Sequence, residues 1–202
     1  MARGCTQPII TRLTSITRAC CRCCRAVGVR GRWSLKSPHH ALHLDALTSV
    51  YPDARLVLMH RDPTVLCASV CSLVTTLTRT FSDADHRRYI ADHWTEILAR
   101  SIAAVDAFRD AHPDRQIVDV HYADLVRDPL ATMRRVYGAF GEDLDGQAMR
   151  AMAAHIESRP QGRFGRHGYD FAEFGLDPAE LAERFRPYVE RYDVPLEALR
   201  DR

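Results

Sequence analysis

One lysine, Lys36, stands against 27 arginines in this 202-residue sequence. That imbalance reads as a coding bias rather than a nucleic-acid signature, because the net charge is only +2 and gives no strong pull toward a polyanion. No apolar run approaches the roughly 18 to 20 residues a membrane helix needs, so no spanning helix is expected. Glycine and proline contribute ten residues each, and the chain is 46% hydrophobic and 8% aromatic, which excludes a collagenous, low-complexity or disordered protein. The phosphate-loop pattern G-x-x-x-x-G-K-[ST] occurs nowhere, which argues against a nucleotide phosphotransferase of that kind.

Residues 1–32 contain no acidic residue and seven arginines (Arg3, Arg12, Arg18, Arg22, Arg25, Arg30 and Arg32). The remaining chain therefore carries a net charge of −5, and a mildly acidic body follows a basic tail. The cysteines divide the same way. Cys5, Cys20, Cys21, Cys23 and Cys24 lie in the tail, and only Cys67 and Cys71 in the body. The tail's C-x-x-C pairs have no second pair at zinc-finger spacing, so no metal is expected. Cys67 and Cys71, four apart on an expected helix, read as small hydrophobes, and the overall usage suits a reduced cytoplasm. Tail residues 1–32 lack the apolar stretch of a secretory signal; their composition fits an organellar transit peptide or a poorly ordered leader.

From Trp33 the pattern becomes periodic. Trp33–Lys36 is a short strand candidate, and His39–Val50 has apolar residues at helical spacing. Arg55–His60 reads as a buried strand. Asp62-Pro63 starts a helix to about Leu77, with Leu66, Val70, Leu73, Val74 and Leu77 on one face. A longer helix is expected over 85–111, a strand over Gln116–His121, and helices from Asp128-Pro129 through Phe140 and from Asp177-Pro178 through about Tyr188. Strands alternating with helices predict an α/β fold with a parallel sheet, residues 33–202 forming one domain.

In such sheets ligands bind beyond the carboxyl ends of strands, beside helix N-termini. Arg61 occupies that place after Arg55–His60. An arginine there, next to free helix N–H groups, suits a phosphate, and Ser69 two turns on could add a hydroxyl. An exposed arginine beside an ordinary helix cap fits the local pattern equally well. Lys36, His39 and His40 occupy the equivalent place after the earlier strand, where a lysine can neutralise developing negative charge and a histidine can accept a proton.

Taken in order, Leu35-Lys36-Ser37-Pro38-His39-His40, Tyr51-Pro52-Asp53-Ala54-Arg55 and His60-Arg61-Asp62-Pro63 with Ser69 and Ser72 resemble the sulfotransferases that use 3′-phosphoadenosine 5′-phosphosulfate, especially their bacterial branch. Val120–Pro129 resembles that family's strand–acid–helix segment, and Gly162–Gly175 its C-terminal basic loop. The resemblance covers about residues 33–192. It implies a P-loop-like three-layer α/β sandwich and transfer of a sulfuryl group to an acceptor hydroxyl or amine, with 3′-phosphoadenosine 5′-phosphosulfate as co-substrate and no metal. Arg61 and Ser69 would hold the 3′-phosphate, and Arg163 and Arg166 would close over it. Lys36 would stabilise the departing 5′-phosphate. His40, or His39 in its place, would take the acceptor's proton. His121 and Asp124 read as structural.

The family's opening strand and glycine-rich loop, which cradle the 5′-phosphosulfate, have no counterpart in the sequence, so an N-terminally incomplete fold is expected. The acceptor is a small molecule, or a glycan or lipid; the aromatics of the stretch from Thr78 to Arg100 (Phe81, Tyr89, Trp94) read either as its pocket or as core. Two other readings stand beside an active transferase. One is a non-catalytic nucleotide-binding remnant. The other is an interaction domain with a basic N-terminal arm.

Overall fold

The structure, a computed structural model, describes Thr14, residues 34–159 and residues 170–197. After a turn of 3-10 helix at Pro38–Leu42 come α1 (Leu44–Val50), β1 (Leu56–His60), α2 (Pro63–Thr78), α3 (Arg87–Ala111), β2 (Ile117–His121), α4 (Tyr122–Arg127), α5 (Pro129–Ala139), α6 (Gly146–Ser158) and α7 (Pro178–Tyr192), with a 3-10 turn at Ala172–Phe174 ahead of α7.

Aspartate followed by proline begins helix after helix, as the sequence predicts. Asp62, Asp128 and Asp177 each accept a backbone N–H of the first turn, from Thr64, Ala131 and Ala179 in turn. Proline at the next position has no N–H to leave unsatisfied. Asp145 caps α6 by the same chemistry, accepting from Ala148 N–H at 2.6 Å. Neither α6 nor the short α4 was expected.

Other expectations are corrected. Ser34–Ser37 forms no strand, and Trp33 lies outside the described residues. The expected helix over His39–Val50 is broken at His43, whose φ of −141° is non-helical, into a 3-10 turn and α1. Helix α7 runs past Tyr188 to Tyr192, carrying Pro187 within it.

The chain forms two compact units. One draws on the stretch up to Arg55 together with Ala99–Arg115, the other on Leu56–Leu98 and the chain from Gln116 onward. In the first, the Arg115 guanidinium donates to the carbonyls of Pro52 (2.7 Å) and Ala54 (2.9 Å), and His112 meets Asp45 at 3.1 Å. Ala46, Val50, Val105 and Phe108 are buried there.

The second unit is built on the parallel pair β1 and β2, in a register that sets Leu58 beside Asp119 and His60 beside His121. Strand alternation puts Val57, Met59, Val118 and Val120 on one face. Helix α5 packs on β2, and Val118, Val120 and Val136 form a core with Leu125 and Phe140. Val57 and Met59 remain about half exposed, so β1 is not the fully buried strand its sequence suggests.

Helix α2 packs against α7, and the stripe of Leu66, Val70, Leu73, Val74 and Leu77 is not its fully buried face. Val65, Cys67, Ala68, Cys71 and Thr75 point inward, while Leu73 and Leu77 are 59% and 56% exposed. Small residues win the inner face because they let neighbours approach: Cys71 sits among Ile90, Ala91 and Phe174, with Val74, Trp94 and Leu176 around them. Trp94 is thus core, whereas Phe81 and Tyr89 are exposed.

Candidate functional site

The carboxyl ends of β1 and β2 bring two histidines together. His60 is 1% exposed and stacks on Tyr192, ring centroids 4.5 Å apart. Its Nε2 lies 2.8 Å from Asp119 Oδ1 and its Nδ1 3.0 Å from the Tyr188 hydroxyl. A carboxylate only accepts, so Nε2 carries the proton and, in the neutral ring, Nδ1 accepts from Tyr188. His121 Nε2 donates to the Tyr192 carbonyl at 2.8 Å. Both tyrosines come from α7, which thus sets its last turns against the two histidines.

Arg61 follows directly. Its side chain is 20% exposed. Its guanidinium lies over the Tyr122 ring, 4.4 Å from the centroid, and donates twice to Glu197: Nε to Oε1 at 2.6 Å and Nη2 to Oε2 at 3.0 Å. Buried Asp62 is divided between two duties. One oxygen caps α2 at Thr64 N–H, and the other accepts the Glu197 N–H, both at 2.9 Å. A strand end, a helix N-terminus and an arginine fork therefore meet at one point, the arrangement that binds oxyanions.

Ser69 lies half-buried in α2, downstream of this point. Lys36 is exposed in the irregular segment before Pro38, and His39 and His40 belong to the 3-10 turn that follows, all in the first unit. Arg61 thus stands just ahead of the helix that carries Ser69, both in the second unit, and Lys36 just ahead of the turn that carries His39 and His40, all in the first. Burial lowers the pKa of His40, and the neighbouring His39 lowers it further. Burial also lowers that of His43, again with His39 and then Arg100 adding to it. A histidine shifted this way is neutral, and ready to accept a proton, at ordinary pH. Arg163 and Arg166 lie outside the described residues.

A model described as the sulfotransferase family matches residues 6–146. The chain belongs to the sulfotransferase family. The match starts within the basic tail, earlier than Trp33, and takes in Lys36, His39, His40, Arg61 and Ser69. Two curated relatives, the omega-hydroxy-beta-dihydromenaquinone-9 sulfotransferases Stf3 of Mycobacterium bovis and of Mycobacterium tuberculosis, are each 28% identical over 114 residues, 53% of this chain and 28% of theirs. This sulfotransferase-family chain therefore spans well under half the length of those relatives. Among solved structures, sulfotransferase STF9 from Mycobacterium avium superposes with a TM-score of 0.75 at 30% identity, over 83% of this chain and 43% of that one. Sulfotransferase STF1 from Mycobacterium tuberculosis gives 0.66 at 34% identity, over 77% and 40%. The fold is accordingly α/β with a parallel sheet.

Arg61 is legible in the sequence, but its surroundings are not. Glu197 lies 136 residues away, and nothing in Leu196-Glu197 distinguishes it from any surface acid. Asp119 and Tyr188 were likewise invisible as partners of His60. Among the described residues no three His, Cys, Asp or Glu side chains gather as a metal site, and no helix is long and apolar enough to cross a membrane.

Proposed function

We propose that this protein transfers a sulfuryl group from 3′-phosphoadenosine 5′-phosphosulfate to an acceptor hydroxyl or amine. The observation that carries the reading is Arg61 at the carboxyl end of β1, its planar donor fork beside the N-terminus of α2. The 3′-phosphate of the donor is its ligand, with Ser69 adding a hydroxyl and Arg163 and Arg166 adding positive charge.

Transfer is in line: the acceptor oxygen or nitrogen bonds to sulfur as the bond from sulfur to the 5′-phosphate oxygen breaks. His40, or His39 in its stead, takes the acceptor's proton, for which a neutral imidazole is the required form. Lys36 offsets the negative charge left on the departing 5′-phosphate. The acceptor is a small molecule or lipid bearing a hydroxyl, a class supported by relatives named for an ω-hydroxylated dihydromenaquinone. The cytoplasm is the proposed compartment, in keeping with Cys67 and Cys71 as buried free thiols.

The test is a thermal-shift titration of the full chain with adenosine 3′,5′-bisphosphate against ADP, which lacks the 3′-phosphate. A ligand at 100 times its Kd adds about 2.7 kcal/mol of stability. Stabilisation by the bisphosphate that exceeds that by ADP and disappears in Arg61→Ala supports the reading. Equal responses to both nucleotides in wild type would remove Arg61 as the phosphate ligand.

A further inference from the structure

Glu197 presents to Arg61 what a phosphate would present. Its two oxygens sit 2.6 and 3.0 Å from Nε and Nη2, the bidentate geometry by which arginine takes carboxylates and phosphates alike. One face of the guanidinium is covered as well, by the Tyr122 ring. A phosphate and Glu197 thus compete for the same N–H groups, and a phosphate arriving beside an undisplaced Glu197 would also meet its charge.

The carboxylate is delivered by a short segment with defined anchors. Helix α7 ends at Asp193 in the left-handed conformation, with φ and ψ both 48°, which turns the chain. Val194 is buried and donates its N–H to the Val189 carbonyl. Pro195 and Leu196 are exposed. Glu197 then returns to the protein through its N–H on Asp62 and its carboxylate on Arg61. Between the Val194 anchor and the Glu197 latch lie two residues that hold nothing inward, so the latch can release without disturbing α7.

The geometry points to Glu197 as an intramolecular plug: a tethered carboxylate that occupies the phosphate-binding fork of Arg61 and must leave before a 3′-phosphate enters. This rests on the reading of Arg61 as the phosphate ligand. A tether of this length holds its group at an effective concentration in the millimolar range or above. Apparent affinity falls in proportion to the open fraction, so a latch closed about nine-tenths of the time weakens phosphate binding about tenfold. The plug acts on the 3′-phosphate alone, so it sets how strongly the protein prefers a bisphosphorylated nucleotide over ADP.

The experiment is isothermal titration of the full chain and of Glu197→Gln and Glu197→Ala with adenosine 3′,5′-bisphosphate and with ADP, each variant first checked for its native circular-dichroism spectrum. Glu197→Gln keeps the size and one acceptor oxygen while removing the charge, so it serves if Glu197→Ala disturbs the fold. The expected result is bisphosphate binding about tenfold tighter in both variants, with ADP affinity within about twofold of wild type. Unchanged bisphosphate affinity in the variants, together with its loss in Arg61→Ala, would overturn the plug and leave the Arg61 assignment standing. Weaker binding would make Glu197 a support that orients the guanidinium, and would overturn the plug equally. No preference for bisphosphate over ADP in wild type or either variant would overturn the Arg61 assignment, and the plug with it.

Discussion

His60 Nε2 and Asp119 Oδ1 lie 2.8 Å apart across the two strands of the sheet, joining a buried ring to a carboxylate that still reaches solvent. The pair ties β1 to β2 by side chains as well as backbone, and through Tyr188 it ties both to α7. Replacing His60 by alanine removes a buried ring from its stack on Tyr192 and strips both partners. The expected loss is about 3 kcal/mol, by cavity formation and broken hydrogen bonds together. Asp119→Ala should lose about 1 to 2 kcal/mol. Because the two share one interaction, the double variant should fall short of the sum. Urea unfolding at pH 7 measures all three, and strict additivity would show that the pair is not coupled.

Asp62 divides its oxygens between Thr64 N–H and Glu197 N–H. Asp62→Ala removes the cap of α2 and the anchor of the C-terminal segment, and should cost about 2 kcal/mol, at the upper end for helix caps. Asp62→Asn keeps an acceptor for one N–H and should cost about half as much. Equal losses in both variants would mean that the charge, and not the number of acceptors, decides.

Both His40 and His43 titrate below the ordinary histidine value of about 6.5, chiefly through burial. Between that value and the folded one, the unfolded chain binds more protons than the native state. The neutral rings therefore cost no stability above pH 6.5, and folding stability falls as the pH drops from there toward the folded values. The His40 ring-proton resonance should show its midpoint below pH 6.5 in an NMR titration. A midpoint above 6.5 would remove burial as the governing effect, and an acid limb of turnover above 6.5 would exclude His40 as the base.

Cys67 and Cys71 are pushed up to about 11 and 12 by desolvation, which outweighs the hydrogen bond from Thr95 to Cys67. Thiolates are the reactive form, so both should resist iodoacetamide at pH 8 in the native protein and react only on unfolding. Peptide mass spectrometry reads each site separately. Rapid native labelling of either would contradict its burial.

The start of α2 was legible because its signal is local: Asp62 and Pro63 are adjacent, and each acts on the same helix turn. Both strands of the parallel pair were legible from their apolar runs for the same reason. The inward face of α2 was not. That helix carries apolar residues all round, so its sequence offers two stripes and no way to choose. The choice was made by Ile90, Ala91 and Phe174, which pack against the small residue Cys71 and leave Leu73 and Leu77 outside. Leu73→Gln and Leu77→Gln should accordingly change stability by no more than about 0.5 kcal/mol, while Ala68→Leu should lose about 1 to 3 by overpacking. Thermal unfolding of the three variants distinguishes the stripes. Arg61 was legible as a residue type after a strand; its partner Glu197 was not, because pairing over that separation leaves no periodic trace.

Asp62 and Glu197 are 135 residues apart, yet one backbone hydrogen bond joins them at the first turn of α2. During synthesis the ribosome would deliver β1 and α2 long before the residue that closes over their junction. The binding fork of Arg61 would thus stand open on the nascent chain and be occupied only once Glu197 has followed. The order of events in biosynthesis is the reverse of the order in ligand capture: Glu197 would settle onto the junction after β1 and α2 are in place, and leave it before a phosphate arrives.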